Sequence, residues 1–293
     1  MLVTMKELLI EADKNNYAVG AFNCSNLENI RAVIRAAEKL DSPVILEYAE
    51  AHKSFISMDE IGPIMVEFAK KAKVPVAVHF DHGQSYELFV KAIQIGFTSV
   101  MIDASGFPYE ENVAKTKDIV RLAHSAGVTV EAELGHVFNS TIGAGEGSSS
   151  DSSDDYENLD EIYTNPADAK KFVEETGIDC LAVAFGTVHG VYLKEPKLDL
   201  DRIKKIKDLV NIPLVMHGGS GVSEEDYWVA IENGIRKVNY YTYANKAAGS
   251  KVREYIESLG KDDVALYDHI TNIATDALAA DVEKAMMMFR HRK

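Results

Sequence analysis

The chain has 293 residues, 46% hydrophobic and 26% charged, which gives room for a sizeable core and excludes a small scaffold that depends on staples. With 31 Lys+Arg against 46 Asp+Glu the formal charge is −15, so most of the surface repels a polyanion such as nucleic acid, and an anionic small molecule would need a local positive site. Two cysteines, Cys24 and Cys180, neither in a CxxC pair, exclude a disulfide framework and fit a reducing, cytoplasmic compartment.

The opening MLVTMKELLIEADKNN has amphipathic helical periodicity over residues 4–14, without the basic start and apolar run of a secretory leader. No later stretch approaches the roughly 20 apolar residues that span a bilayer. Eight short β-branched, apolar runs follow in turn: Tyr17 to Asn23, Pro43 to Tyr48, Pro75 to Phe80, Thr98 to Asp103, Val128 to Glu133, Cys180 to Phe185, Pro213 to His217 and Ile235 to Tyr240. Helical stretches separate them, such as NLENIRAVIRAAEKL after the first, NVAKTKDIVRLAHSAG after the fourth and SEEDYWVAIENG after the seventh. This alternation predicts a parallel sheet, and eight repeats close most simply into an α/β (β/α)8 TIM barrel over residues 1–293, a single domain with extra helices at 4–14 and about 275–290. The Gly-, Ser- and Asp-rich segment 135–161 interrupts the rhythm as a long polar loop after the fifth strand, either a solvated insertion or a functional lid.

Each apolar run ends in polar residues: Asn23, the run His79-Phe80-Asp81-His82-Gly83, Asp103, Glu131 and Glu133, His189, His217 and Asn239. In a barrel these converge on the C-terminal mouth, where active sites of this fold are built. A lone histidine at a strand end is more often a hydrogen-bonded structural residue than a ligand. Three imidazoles from three strand ends, His82, His189 and His217, with carboxylates nearby, can instead hold a catalytic zinc ion that keeps a position open. His79 alternates with Asp81 and reads equally as an interior partner of the site or as packed core. His52 and His136 read as loop residues near the mouth, solvated or touching a ligand, and His124, His269 and His291 as surface residues. Gly218-Gly219-Ser220-Gly221, between the seventh strand and a helix, reads as a phosphate cradle or as a plain tight turn. Asn239 and Thr242 after the eighth strand occupy the other half of that common phosphate location.

HFDHG at 79–83, VEAELG at 130–135, AVAFGTVHGVY at 182–192, HGGSG at 217–221 and KVN-x-x-T at 237–242, in this order, resemble the class II fructose-bisphosphate and tagatose-bisphosphate aldolases. AVGAFN at 18–23 and SVMIDAS at 99–105 extend the similarity over essentially the whole chain. The resemblance implies that His82, His189 and His217 bind zinc, which stabilises the enediolate of a dihydroxyacetone phosphate unit without a Schiff-base lysine. It implies that Asp81 exchanges a proton with the C4 hydroxyl, and that Glu146, in Gly143-Ala144-Gly145-Glu146-Gly147, moves the proton at C3 of the ketose fragment. Asp103 and Glu133 correspond to residues that lie beside the metal or hold it in an alternate or second position; as plain hydrogen-bond acceptors they would read the same. Asn23, Gly190, Lys194, Gly218, Gly219, Ser220, Asn239 and Thr242 fall where the family binds substrate and phosphate. Backbone carbonyls near Gly190 and Gly218 correspond to holders of a monovalent cation, Na+ or K+. Relatives of this kind are dimers or tetramers, so the expected partners are a phosphorylated sugar and further copies of the chain, with no nucleic acid and no membrane.

Two features depart from the fructose-bisphosphate pattern. The eighth strand continues Asn239-Tyr240-Tyr241-Thr242-Tyr243-Ala244-Asn245 where an acidic residue and a later arginine are usual, and the second ends Ala49-Glu50-Ala51-His52 where a serine or threonine is common. Tagatose 1,6-bisphosphate, fructose 1,6-bisphosphate and other ketose 1-phosphates therefore stay open. A zinc-dependent hydrolase on the same barrel, in which the metal activates water, would commonly carry an HxH pair on the first strand, and none is present. A non-catalytic binding protein on this fold would have no need of Asp81 beside a full ligand set.

Overall fold

In the computed structural model, which describes residues 1–140, 162–192 and 196–290, the strand runs are β1 (Val19–Asn23), β2 (Val44–Ala49), β3 (Val76–Gly83), β4 (Ser99–Ile102), β5 (Thr129–Leu134), β6 (Phe138–Asn139), β7 (Cys180–Val183), β8 (Val188–His189), β9 (Leu214–Met216) and β10 (Ile235–Asn239). Eight of them form a closed parallel barrel in the order β1-β10-β9-β7-β5-β4-β3-β2. The other two, β6 and β8, pair with each other in parallel just outside it. The helices are α1 (Met5–Asn15), α2 (Leu27–Lys39), α3 (Met58–Lys71), α4 (Tyr86–Ile95), α5 (Tyr109–Ser125), α6 (Pro166–Thr176), α7 (Leu200–Lys207), α8 (Glu224–Glu232), α9 (Thr242–Ser258) and α10 (Tyr267–Phe289). Among the described residues, no helix is long and apolar enough to cross a membrane.

Two separate cores follow from strand alternation. Side chains facing outward, such as Phe22, Leu46, Val78, Phe80, Val100 and Val130, pack against the apolar faces of the helices. Inward-facing Val19, Ala21, Ile45, Ala77, Met101 and Val215 form a second cluster with Met5, Leu8, Leu9 and Ala12 of α1. Val19, Ile45 and Ala77 lie at the starts of their strands, and Lys6 N–H donates to Thr129 Oγ1 at the start of β5, so α1 closes the N-terminal end of the barrel. Its spacing explains how: Met5, Leu8, Leu9 and Ala12 recur on one helical face, and a capping box between Thr4 and Glu7 starts the helix. Asp13 then ties α1 to the barrel through Arg236 at 2.7 Å and Lys207 at 3.2 Å.

The C-terminal helix α10 is longer than its expected stretch and lies across α2 and α9. Phe289 near its end packs edge-on to Tyr227, with ring centroids 5.0 Å apart, and its carbonyl accepts from Ala18 N–H at the start of the first strand.

Candidate active site

β3 builds the centre of the site. Regular alternation turns His79 and Asp81 into the barrel, and the next residue should then face outward. Instead the pairing of β3 with β4 shifts between Phe80 and Gly83, and His82 takes φ of +45°. A bulge with a left-handed non-glycine residue is costly backbone, of the kind retained at functional sites. Its effect is that Asp81 and His82, adjacent in sequence, both project into the mouth. Gly83 has no side chain because a Cβ there would sit 2.5 Å from the Phe80 ring and 2.9 Å from the Met101 carbonyl.

His82, His189 and His217 come together as expected, each buried, with one ring nitrogen per residue lying within 4.8 Å of the others. His217 follows β9 directly. His189 differs from expectation: it lies on β8, six residues beyond the end of the barrel strand β7, rather than at a barrel strand end. β6 holds that segment, with Ser140 N–H donating to the His189 carbonyl at 2.7 Å, and Tyr192 braces it by accepting from Val188 N–H at 3.0 Å and donating to the Gly218 carbonyl at 2.8 Å. Gly218, at φ of +62°, lets the two loops touch, since a Cβ there would meet the Val188 backbone at 2.6 Å.

The ring orientations are set from outside the cluster. Asp103 binds Nδ1 of His82 at 2.8 Å, and Glu131 binds Nε2 of His217 at 2.8 Å. This leaves His82 Nε2 and His217 Nδ1 facing each other at 2.8 Å. His189 has no hydrogen bond on either ring nitrogen among the described residues, although it is only 2% exposed. A buried imidazole with both nitrogens unsatisfied is expensive unless a ligand completes it. Carboxylate-oriented imidazoles around one such ring are the donor set of a divalent metal with an open position, so the residues fit zinc.

Electrostatics agree with that geometry. Burial and the charge of His82 hold His189 well below the ordinary histidine range, and the same influences lower His217. His82 goes the other way: burial opposes its charge, but Asp81 and the Asp103 hydrogen bond outweigh it and push it up to about 10. Without metal, the cluster therefore holds one proton on His82. Burial and the neighbouring Asp103 push Glu133 up to about 8. Asp81 feels burial too, yet His82, Lys237 and His217 overcome it and keep the carboxyl well below the carboxylate range. It accepts from Asn23 Nδ2 at 3.0 Å and Asn239 Nδ2 at 3.3 Å, so it is an ionised, oriented base beside the histidines.

The residues expected to bind phosphate lie around one rim. Ser220 Oγ accepts from Tyr241 N–H at 3.0 Å, tying the Gly218–Gly221 turn to the start of α9, whose first residue is Thr242. A Cβ on Gly219 would sit 2.9 Å from the Asn239 carbonyl, so backbone approaches backbone there. Gly190, at φ of +97°, follows the His189 strand toward the same rim. Glu146 and Lys194 lie outside the described residues, as do His291 and most of the polar segment 135–161. His52 is fully buried rather than a solvated loop histidine, with its ring 4.9 Å from that of Tyr241. His124 is exposed and bonds Asp179 at 2.8 Å, and His269 is exposed, as expected of surface residues.

Sequence reasoning missed a buried layer beneath the histidines made of Glu47, Ser99 and Lys237 around His79. Lys237 Nζ lies 2.8 Å from Glu47 and 3.0 Å from Glu131, and His79 Nδ1 bonds Ser99 Oγ at 2.8 Å. The signal was present: Glu47 and Lys237 are charges in the middle of strand runs, VILEYA and IRKVN, at inward positions. Glu47, His79 and Asp81 also approach one another closely enough to suggest a second metal group, but the Lys237 ammonium already supplies the cation there.

Comparison with known proteins agrees with this architecture. The family model "Fructose-bisphosphate aldolase class-II" matches residues 3–293. The fructose-bisphosphate aldolase of Geobacillus stearothermophilus is 43% identical over 293 residues, covering 98% of this chain and 96% of that protein. The crystal structure of the YdjI aldolase from Escherichia coli K12 superposes with a TM-score of 0.84 at 36% identity, covering 99% of this chain and 97% of that one. The fructose-bisphosphate aldolase of Campylobacter jejuni superposes with a TM-score of 0.75 at 26% identity, covering 98% and 95%. A full-length family match, over a closed barrel that gathers the histidines and aspartate of the shared motifs at one mouth, places the chain in the class II fructose-bisphosphate aldolase family, and so among the carbon–carbon lyases.

Proposed function

We propose that the chain is a zinc-dependent aldolase that reversibly cleaves a ketose 1,6-bisphosphate of the fructose or tagatose type to dihydroxyacetone phosphate and glyceraldehyde 3-phosphate. The observation that carries this reading is the buried His189 ring, without a hydrogen bond among the described residues, set against His82 and His217 with the ionised Asp81 beside them. His82, His189 and His217 would hold the zinc, and Asp103 and Glu133 would share or receive it. When bound, zinc supplies the Lewis-acid charge that polarises the carbonyl next to the bond to be cleaved.

The protein's own groups account for the rest. Asp81 takes the proton from the C4 hydroxyl during cleavage and returns it to the aldehyde during condensation; Asn23 and Asn239 hold its carboxylate in place for that transfer. The 1-phosphate is bound by Gly190, Gly218, Gly219, Ser220, Asn239 and Thr242, with the N-terminus of α9 favouring its negative charge. For Glu146, as the residue handling the C3 proton, and for Lys194 as a phosphate ligand, sequence resemblance is the support. The same resemblance supports a Na+ or K+ site near Gly190 and Gly218 and a homodimer or homotetramer, while the two cysteines outside any CxxC pair support a cytoplasmic enzyme and the eight strand-and-helix repeats support one domain.

A second reading, cleavage of a different ketose 1-phosphate, is favoured by the His52 and Tyr241 rings, in contact at a tilt of 41°, at positions where fructose-bisphosphate members commonly carry small polar or acidic residues. Assaying cleavage of fructose 1,6-bisphosphate, tagatose 1,6-bisphosphate and ketose 1-phosphates, before and after chelation, separates these. Expected are cleavage of at least one, loss of activity on chelation, and recovery with zinc. In Asp81→Asn, kcat should fall by ~10²- to 10⁴-fold while zinc stays bound. Full activity without metal would sink the zinc mechanism, and inactivity on every ketose phosphate would favour hydrolysis or simple binding.

A further inference from the structure

TIM-barrel interiors are ordinarily filled by layers of branched apolar side chains. In this barrel the layer beneath the three histidines is ionic, and its centre is the ammonium of Lys237, with no solvent exposure. Burying an ammonium with two carboxylates is costly and is weak evidence for stability in itself. The geometry shows what it does instead.

The ammonium donates to Asn239 Oδ1 at 2.7 Å and forms ion pairs with Glu47 Oε1 at 2.8 Å and Glu131 Oε2 at 3.0 Å. Two of these acceptors lead directly into the site. With its Oδ1 held by the ammonium, Asn239 must turn its amide N–H groups the other way, toward Asp81 Oδ1 at 3.3 Å. With Oε2 of Glu131 held, Oε1 accepts from His217 Nε2 at 2.8 Å; this fixes the tautomer in which Nδ1 faces the histidine cluster. The third contact, Glu47, meets the ammonium from β2 and makes no hydrogen bond to Asp81 or His217 among the described residues.

We infer that Lys237 is a positioning residue: a single buried cation that orients both the proton-transfer carboxylate, through Asn239, and a metal-binding imidazole, through Glu131. It touches no substrate and forms no covalent bond with one. The inference rests on the roles proposed above for Asp81 and His217.

The test compares Lys237→Met, which removes the ammonium but keeps the unbranched apolar stem, with Lys237→Met/Glu47→Gln. The double variant removes the ammonium together with the carboxyl it meets and leaves an amide of the same shape, so no buried acid is left facing the place of the lost cation. For each, and for wild type and Asp81→Asn in parallel, the measurements are thermal melting, zinc affinity by competition with a chelator, the visible spectrum of the cobalt(II)-loaded protein, and kcat and KM for fructose 1,6-bisphosphate or whichever ketose phosphate the wild type cleaves. The double variant is expected to fold, to bind zinc ~10- to 100-fold more weakly, and to show an altered cobalt spectrum. Its kcat should fall ~10²-fold with KM little changed, as for a misplaced catalytic group. A folded double variant with wild-type zinc affinity, cobalt spectrum and kcat would overturn the inference. So would a double variant that does not fold, because the ammonium would then serve folding alone. If Asp81→Asn retains activity, the parent reading of the site fails first; if Asp81→Asn is inactive and the double variant matches wild type, only the role of Lys237 fails.

Discussion

His82 carries the proton that a metal must displace. Its buried ring, held charged by Asp81 and Asp103 up to about 10, is protonated in the metal-free protein at neutral pH, whereas a zinc ligand must be neutral. Zinc uptake should therefore release about one proton, and apparent zinc affinity should rise by about tenfold per pH unit between pH 6 and 8. Calorimetry in buffers of different ionisation enthalpy reads the proton directly. A pH-independent affinity with no proton release would show that His82 is already neutral in the metal-free site. The backbone at the same residue explains why this chemistry was only partly legible in sequence. HFDHG announces a histidine and an aspartate side by side, but strand alternation would send them to opposite faces, and it is the left-handed turn at His82 that brings them together. Charges at Glu47 and Lys237 were visible as anomalies in apolar runs. What they bind depends on strands brought together only by closure of the barrel.

At the scale of elements, the barrel strands and the two terminal helices were readable because their hydrophobic periods are long and regular. The pair β6 and β8 was not, since two residues cannot show a period, and so His189 was assigned to the end of the sixth barrel strand rather than to a strand of its own. The same pair is where a small change should act at a distance from the histidines. Gly218→Ala would force a Cβ to within 2.6 Å of the Val188 backbone and would put alanine at φ of +62°. Such strain costs on the order of 1–3 kcal/mol if the loop keeps its shape, and displaces the β8 segment if it yields. Zinc affinity should drop while the far-ultraviolet circular dichroism stays that of the wild type; unchanged affinity would mean that the two loops do not constrain each other. For α1, Leu9→Ala removes a fully packed side chain from the closed end and should lower stability by ~2–5 kcal/mol in urea melts. Zinc affinity and kcat per folded molecule should be untouched, because the contacts of Leu9 lie in the apolar layer at the opposite end from the histidines.

For the whole molecule, the buried layer sets how stability depends on pH in the metal-free state. Burial, with Lys237 nearby, holds His79 neutral down to about 3, far below its ordinary 6.5, so between those values the unfolded chain takes up a proton that the native protein refuses. Stability therefore falls as pH drops from 6.5 toward 3. Glu131 adds to this: burial raises its pKa, but Lys237 and His217 prevail and lower it to about 2, so its stabilisation is lost as pH falls from about 4.5 toward 2. Glu133 runs the opposite way, since an acid held up to about 8 stabilises the native state below 4.5 and loses that contribution as pH rises through 8. Between about 4.5 and 6.5 Glu133 and Glu47, both held above the ordinary carboxylate range by burial, oppose His79, His189 and His217, which predicts an acid decline shallower there than below 4.5 and a second decline above 6.5. Urea midpoints measured on chelated protein across pH 3–9 check it, and His79→Gln should shallow the acid decline; an acid limb unchanged in that variant would place the titration elsewhere.

The seal that α1 makes beneath the barrel also bears on traffic. With Met5, Leu8, Leu9 and Ala12 filling the lower end and the ionic layer above them, the described residues close the barrel beneath the histidine cluster and leave the mouth, where the ketose phosphate would sit, as its approach. A metal ion and a sugar phosphate would then share one doorway. Exchange becomes ordered: the ion enters first and leaves last, and a phosphorylated ligand in the mouth should slow the escape of zinc to a chelator roughly in proportion to its own residence time.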